Sequence, residues 1–336
     1  MTRRQFFLGS AGLAVAPRLR ASAVEPWTRV ESHMGCLWTL TLPDLPPARA
    51  APAATAVFSE IARLNHIFSD YETTSELNRL GQKSGQAAPV AISCELFDIL
   101  NRSRQISVLT HGLFDITLAP CIRLWRRSRR RGELPDAATL AAARARTGWQ
   151  HLELDPAART ARLAKPRMQL DLGGIAKGWT QDACLQLLRD QFQITSVLLD
   201  AAGEVAAGTP PAGREAWHLG LLPTGNDPPV RIALKEANAA TSGDHYQFVD
   251  IAETRYSHII DPRTGLGSTV SRQATLIAPT GRVADPLTKL LCLLDPAESL
   301  PLLDKNWPGL QARITSQPAG GKMQIRQTPG FPLLES

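Results

Sequence analysis

LDLGGIAKGWTQDACLQLLRD, residues Leu170 to Asp190, joins an apolar run to a helix through a glycine-rich turn. The alternating apolar positions that predict a strand are Met168, Leu170 and Leu172. The strand is expected to end at Gly173-Gly174, and Lys177-Gly178 follow. The positions that predict one face of a helix are Ala183, Leu187 and Leu188. A strand that enters a helix through glycines predicts a mixed α and β fold.

Two explanations fit these glycines. Glycine lets a helix lie close to a neighbouring element, and it also lets the backbone approach an anion at a helix N-terminus. A Walker loop has Ser or Thr after its lysine, whereas Gly178 follows Lys177 here. The glycine spacing does not match the dinucleotide fingerprint either. Taken alone, the motif favours packing and leaves phosphate binding open.

Composition and charge placement argue against a nucleic-acid-binding protein. The chain has 336 residues, of which 43% are hydrophobic, so it can form one large domain or two small ones. The formal net charge is +6, but four arginines lie in residues 1–23, which contain no acid, so 6 − 4 leaves +2. The dense basic run RRSRRR, Arg126 to Arg131, is interpreted as a solvated loop. We therefore expect no nucleic-acid partner.

Residues 1–23 have the parts of an export signal. Arg3-Arg4 precede a short apolar region, and Ala21-Ser22-Ala23 fits a cleavage site. The arginine pair predicts export by the twin-arginine machinery and a periplasmic location. The apolar region, Leu8 to Ala16, is far shorter than the ~20 residues that cross a bilayer. We expect a signal peptide over residues 1–23, a domain over residues 24–336 and no stable membrane span.

The rest of the chain predicts a single α+β unit. Periodicity predicts helices over Ala48 to Phe68 and Val283 to Leu294. Ser93 and Asp136 are predicted to begin two further helices, and a hairpin is expected around Asp155-Pro156. From Trp217 onward short strand-like runs dominate.

Eight stretches, taken in order, resemble one family. They are MGCLWTL, SDYETTSELNRL, GLFDITLAP, LDLGGIAKGW, LLDAAGEVAAG, ATSGDHY, RYSHIIDPRTG and VADPLTKLL. Together they are similar to the ApbE family, the FAD:protein FMN transferases. The resemblance implies helices packed on a mostly antiparallel sheet and an exported, Mg²⁺-dependent enzyme. It also implies a substrate, FAD, and an acceptor flavoprotein with an exposed Thr or Ser, to which FMN is esterified as AMP leaves.

The resemblance assigns site residues by their positions in these stretches. Those implied to bind the flavin nucleotide are Met34, Tyr71, Leu113, Phe114, Asp115, Asp171, Lys177 and Ile260. His258 and Asp285 are implied to be catalytic, and imidazole has a suitable pKa to take a proton from a hydroxyl. The implied metal ligands are Gly174, Asp285 and Thr288. Read without the resemblance, Phe114 is a core residue and Asp115 caps a helix.

Two departures from the family pattern bear on these assignments. The family shows Gly-Gly-Asp where this chain has Ala202-Gly203-Glu204, and Lys289 stands where a Thr or Ser metal ligand is usual. We expect Thr288 to replace that hydroxyl, Lys289 to point partly away, and Mg²⁺ to bind weakly. Two alternatives remain open, namely an FAD pyrophosphatase and a non-catalytic periplasmic FAD-binding protein whose metal site has decayed.

Overall fold

The computed structural model describes residues 26–221, 230–244, 247–317 and 321–334. The strands are β1 (Trp27–His33), β2 (Cys36–Leu42), β3 (Val90–Ala91), β4 (Leu152–Asp155), β5 (Thr160–Leu163), β6 (Leu198–Ala201), β7 (Glu204–Ala207), β8 (Trp217–Leu221), β9 (Val230–Leu234), β10 (Ala237–Gly243), β11 (Phe248–Ile251), β12 (Thr254–Ser257), β13 (Ile260–Asp261), β14 (Leu266–Gly267), β15 (Arg272–Ala278), β16 (Gln311–Ser316) and β17 (Gln324–Gln327).

The helices are α1 (Pro47–Phe68), α2 (Glu76–Gln82), α3 (Cys94–Leu109), α4 (Ala119–Arg131), α5 (Ala137–Arg144), α6 (Ala176–Phe192), α7 (Gly281–Leu293) and α8 (Pro296–Asn306). Short 3₁₀ helices cover Ile116–Leu118 and Trp149–His151. Within the described ranges, none of the helices is both long and apolar enough to cross a membrane.

One antiparallel sheet organises the chain. Its strands lie in the order β1-β2-β6-β7-β10-β15-β16-β17, and each neighbouring pair is antiparallel. Helices α1, α6 and α7 contact one another in that order and pack against the sheet. The central strand β15 is buried along its whole length. The first and the last strands of the described chain belong to this one sheet. Helices packed on an antiparallel sheet confirm the predicted α+β class.

Local signals in the sequence determine several element boundaries. The Ser93 hydroxyl accepts a hydrogen bond from the amide of Leu96 and caps α3, and the Asp136 carboxylate accepts one from Thr139 and caps α5. The Asp155 side chain accepts the amide of Ala157 at 2.8 Å, which closes the turn between β4 and β5. These three predictions are confirmed.

The strand predicted over Met168 to Leu172 is wrong. The three alternating apolar side chains are buried, but their backbone is in no sheet. Instead the amide of Asp171 donates to the carbonyl of Ile116 at 2.8 Å. Burial on a helical core, rather than strand pairing, therefore explains the apolar alternation.

The basic run Arg126 to Arg131 is also not the predicted loop. It forms the last turns of α4, which has Pro120 in its first turn and ends at Gly132 with φ 70°. Trp125 on this helix is buried, and its indole nitrogen donates to the carbonyl of Ser257 at 3.0 Å. The helix is therefore fixed to the strand that precedes His258, and its arginines have defined positions.

Close packing joins the N-terminal turns of α6 and α7. A Cβ atom on Gly178 would lie 2.2 Å from the carbonyl oxygen of Gly281, and one on Gly281 would lie 2.4 Å from that of Gly178. Neither position has room for a side chain, so the two backbones touch. For Gly178, the packing explanation is the correct one.

The turn between β6 and β7 holds a strained alanine. Ala202 has φ 53° and Gly203 has φ 96°, in a two-residue turn that favours glycine or asparagine. A residue with a Cβ is disfavoured in this left-handed region. Alanine at this position therefore lowers the stability of the turn relative to glycine.

We expect Ala202→Gly to raise the free energy of unfolding by about 1 kcal/mol, because glycine relieves the left-handed strain. Chemical denaturation measures the change. The control is Ala142→Gly, an exposed position within α5, which should lower the free energy of unfolding by about 1 kcal/mol. An Ala202→Gly variant that is less stable than the parent would contradict the strain.

Candidate active site

A cavity of about 670 Å³ lies where α4, the turn before α6, β11, β13 and α7 meet. Its volume falls in the range of about 300–1,000 Å³ that is usual for small-molecule sites. The sequence-predicted residues that line it are Tyr71, Leu113, Phe114, Asp115, Asp171, Gly174, His258 and Ile260. These residues come from four separate stretches of the chain, which therefore meet around one volume.

Four other predicted residues do not line the cavity. They are Met34, Lys177, Asp285 and Thr288. Met34 occupies the turn between β1 and β2 with φ 49°, and its sulfur accepts the Thr180 hydroxyl at 3.8 Å. It packs against the core and so supports α6.

His258 lines the cavity, and one of its ring nitrogens is hydrogen-bonded. Its Nδ1 lies 3.2 Å from the carbonyl oxygen of Gln247, so Nδ1 carries the proton and donates it. Burial lowers the pKa of His258 to about 4, and Arg129 and Lys289 add to this effect, while the bond to Gln247 opposes it. At neutral pH the imidazole is uncharged, and Nε2 carries a lone pair that can accept a proton.

Asp171 connects the glycine turn to the basic helix. One carboxylate oxygen accepts the amide of Gly173 at 2.8 Å, and the other accepts the guanidinium of Arg126 at 2.8 Å. Burial and the nearby Asp70 raise the pKa of Asp171, whereas Arg126 lowers it. Asp171 is thus both the cap of the turn and the anchor of a cavity-lining arginine.

Arg126 has three partners at the mouth of the cavity. Besides Asp171 it pairs with Asp70 at 2.7 Å, and its guanidinium lies 4.7 Å from the centre of the Tyr71 ring. Tyr71 is 74% exposed, so its ring is available to stack on a planar ligand. A second, shallower groove of about 530 Å³ continues past Arg126 and Tyr71 along the other arginines of α4.

Phe114 and Asp115 have the structural roles that their local sequence predicts. Phe114 is buried in the core, with one side on the cavity. The Asp115 carboxylate accepts the amide of Thr117 at 2.8 Å and the amide of Trp149 at 3.2 Å, and it caps the 3₁₀ helix. Burial raises the pKa of Asp115. These contacts hold the cavity wall in place.

Behind the cavity, two lysines and two carboxylates form a charge cluster. We define the charge cluster as Lys177, Glu204, Asp285 and Lys289. Lys177 lies 3.0 Å from one oxygen of Glu204, and Lys289 lies 3.9 Å from the other. Lys289 also forms an ion pair with the buried carboxylate of Asp285. Although burial opposes it, Glu204 and Asp285 raise the pKa of Lys177.

Lys289 does not point away, so that expectation is wrong. Its ammonium donates to both the backbone carbonyl and one carboxylate oxygen of Asp285. Unlike the other three members of the charge cluster, it lines the cavity. A lysine four residues after an aspartate on one helix faces the same side, which brings the two groups together.

The residues implied as metal ligands do not fit Mg²⁺ as they stand. The second oxygen of Asp285 lies 3.3 Å from the amide of Gly178, and the first is held by Lys289. The Thr288 hydroxyl donates to the carbonyl of Asp285 at 2.7 Å and lies 2.7 Å from the Ser242 hydroxyl. Mg²⁺ needs an octahedral shell of oxygens at about 2.0–2.1 Å. Here an ammonium group is already paired with one oxygen of Asp285.

Sequence reasoning missed three cavity-lining arginines. They are Arg126, Arg129 and Arg130. Pro120 near the start and Gly132 just after the end are helix start and stop signals that could have identified α4. The pairing of Arg126 on this helix with Asp171 depends on the fold, so no local sequence pattern predicts it.

Comparison with known proteins identifies the family of this chain. The ApbE family model matches residues 34–314. An FAD:protein FMN transferase of Treponema pallidum is 29% identical over 86% of this chain and 84% of that protein. One from Salmonella typhimurium is 30% identical over 75% of this chain and 74% of that protein.

The solved structure of the flavin transferase ApbE from Vibrio cholerae superposes with a TM-score of 0.81 at 25% identity, over 91% of this chain and 98% of that one. The family predicted from the sequence is confirmed, and this chain belongs to the ApbE family of flavin transferases.

Proposed function

We propose that this chain transfers the FMN part of FAD to a Ser or Thr hydroxyl of an acceptor protein, with AMP as the leaving group. The observation that carries the proposal is His258, which lines a cavity that cations also line. Its Nδ1 donates a hydrogen bond, so the neutral ring keeps its basic lone pair on Nε2. Membership of a family whose curated members are FAD:protein FMN transferases supports it.

The proposed reaction is a single displacement at phosphorus. The acceptor hydroxyl oxygen attacks the FMN phosphorus and forms a new P–O bond, while its proton passes to Nε2 of His258. The bond between that phosphorus and the bridging oxygen breaks. The bridging oxygen leaves with its electron pair as part of the AMP phosphate. No atom is oxidised or reduced.

The cavity supplies what this displacement needs. Arg126, Arg129 and Lys289 can neutralise the pyrophosphate oxygens. Gly173 and Gly174 line the cavity, and glycine lets an anion approach the backbone closely there. Tyr71 and Ile260 offer aromatic and apolar surface for the isoalloxazine ring.

Four predicted residues receive indirect roles in this proposal. Asp285 holds Lys289, and Thr288 holds the backbone of Asp285. Lys177 acts through Glu204, and Met34 supports α6. In this proposal the chemistry does not run through Mg²⁺, because Lys289 already pairs with the Asp285 carboxylate.

We also propose that the chain is exported to the periplasm before it acts. The support is the sequence of residues 1–23, which lie outside the described residues, and the proposed domain then spans residues 24–336. Export in the folded state would allow the flavin site to form before translocation.

Purified protein incubated with FAD and candidate acceptor proteins should yield an acceptor whose mass increases by one FMN, together with AMP. We expect His258→Ala to bind FAD normally but to transfer FMN about 10²–10⁴-fold more slowly, because general-base assistance is typically worth that factor. His66→Ala, an exposed position on α1, is the control and should transfer normally. Release of free FMN without an adduct would indicate a pyrophosphatase, and neither product would indicate a flavin-binding protein.

The His258 imidazole should titrate near pH 4 in the free protein, well below its ordinary value of about 6.5, because burial and the neighbouring cations disfavour the imidazolium form. The base therefore stays competent as the pH falls from 7 to about 5. NMR titration of the ring proton, assigned with His258→Ala, measures this pKa. Arg129→Gln should raise it, and a value of about 6.5 in both proteins would refute the electrostatic assignment.

Replacing Arg3-Arg4 by Lys-Lys should leave the protein in the cytoplasm, because the paired arginines are read by the twin-arginine machinery. Cell fractionation and immunoblotting measure the distribution. Arg18→Lys, a change of the same kind outside the pair, is the control and should be exported normally. Normal export of the Lys-Lys protein would show that another route is used.

A further inference from the structure

We propose that the Lys289 ammonium is a built-in cation that binds the pyrophosphate in place of a divalent metal, so that this chain holds FAD without Mg²⁺. This proposal rests on the proposed flavin-transfer function and states which group binds the pyrophosphate of FAD. Lys289 is the member of the charge cluster that lines the cavity. Its partners lie behind it and leave its outer side toward the ligand volume.

The position of the ammonium is fixed by two donated hydrogen bonds. One goes to the carbonyl oxygen of Asp285 at 3.0 Å, and the other goes to the carboxylate of the same residue. An ammonium has three donors, so one remains for a phosphate oxygen. Gly174 lies beside this side chain, because a Cβ there would be in van der Waals contact with Cε of Lys289 at 3.6 Å.

Glu204 completes the arrangement from the sheet. Its two oxygens face Lys177 at 3.0 Å and Lys289 at 3.9 Å, so one buried carboxylate lies between two ammonium groups. Glutamate extends one methylene further than the aspartate of the family pattern. We therefore treat the two departures from the family pattern as linked. The longer side chain of Glu204 reaches toward the ammonium group of Lys289.

The same contacts leave no place for a divalent ion. Both oxygens of Asp285 have partners, the hydroxyl of Thr288 is bonded on both sides, and a dication at this point would face an ammonium at contact distance. Like charges in a partly buried site repel strongly. In this proposal Lys289 contributes charge neutralisation alone.

The direct test is FAD binding by metal-stripped protein in excess EDTA, followed by flavin fluorescence, with and without added Mg²⁺. The parent should bind FAD equally well in both conditions. Lys289→Met should weaken binding about ten- to hundredfold, the effect of losing a charge-assisted contact to phosphate. Lys289→Arg should retain most of the affinity. Lys305→Met, an exposed lysine on α8, should have no effect.

Calorimetric titration with Mg²⁺ alone supplies a readout that needs no flavin. The parent should give no binding heat, and the double variant Glu204→Asp, Lys289→Thr should bind Mg²⁺. Thermal unfolding of each variant confirms that it is folded. Binding of Mg²⁺ by the parent, FAD binding that requires Mg²⁺, or unchanged FAD affinity in Lys289→Met would overturn the proposal.

These outcomes are separable from the proposed function. Metal-free FAD binding that depends on Lys289, without any transfer of FMN, would refute the transferase and keep the internal cation. Transfer of FMN that requires Mg²⁺ would support the transferase and refute the internal cation.

Discussion

The contact between Gly178 on α6 and Gly281 on α7 is the constraint on which the site depends. With less than 2.5 Å between a hypothetical Cβ on either glycine and the other backbone, the helices can meet only if both residues lack side chains. This contact places Asp285 against the amide of Gly178 and brings Lys289 beside Gly174. A side chain at either glycine would separate the glycine turn from the charge cluster and so divide the cavity wall.

The sheet and the helix α4 supply the other charged groups of the site. Strand β7 presents Glu204 between the two lysines, and α4 presents Arg126 to Asp171 on the opposite side of the glycine turn. The Trp125 indole ties α4 to the strand that ends just before His258, so the base and the arginines are held by one buried side chain. The cavity therefore combines a neutral base with a set of cations, an arrangement suited to attack on a phosphate anhydride.

Local chemistry made some of this predictable from the sequence. The caps at Ser93 and Asp136 and the turn at Asp155 depend on hydrogen bonds within a few residues, and each was predicted correctly. The apolar run before Gly173 was assigned to a strand because burial alone produces the same alternation. The contact of Arg126 with Asp171 and that of Lys289 with Glu204 join residues far apart in the sequence, so they depend on the fold. The sequence motifs identified the family, whereas these contacts show how this member departs from it.

The central claim is that an ammonium group takes the place of a metal at the pyrophosphate. A crystal structure of the protein soaked with FAD and Mn²⁺, with data collected at the manganese absorption edge, tests it most directly. We predict a pyrophosphate oxygen within hydrogen-bond distance of Lys289 Nζ and no anomalous peak at Asp285. An anomalous peak bonded to Asp285, with Lys289 displaced from the carboxylate, would contradict the account.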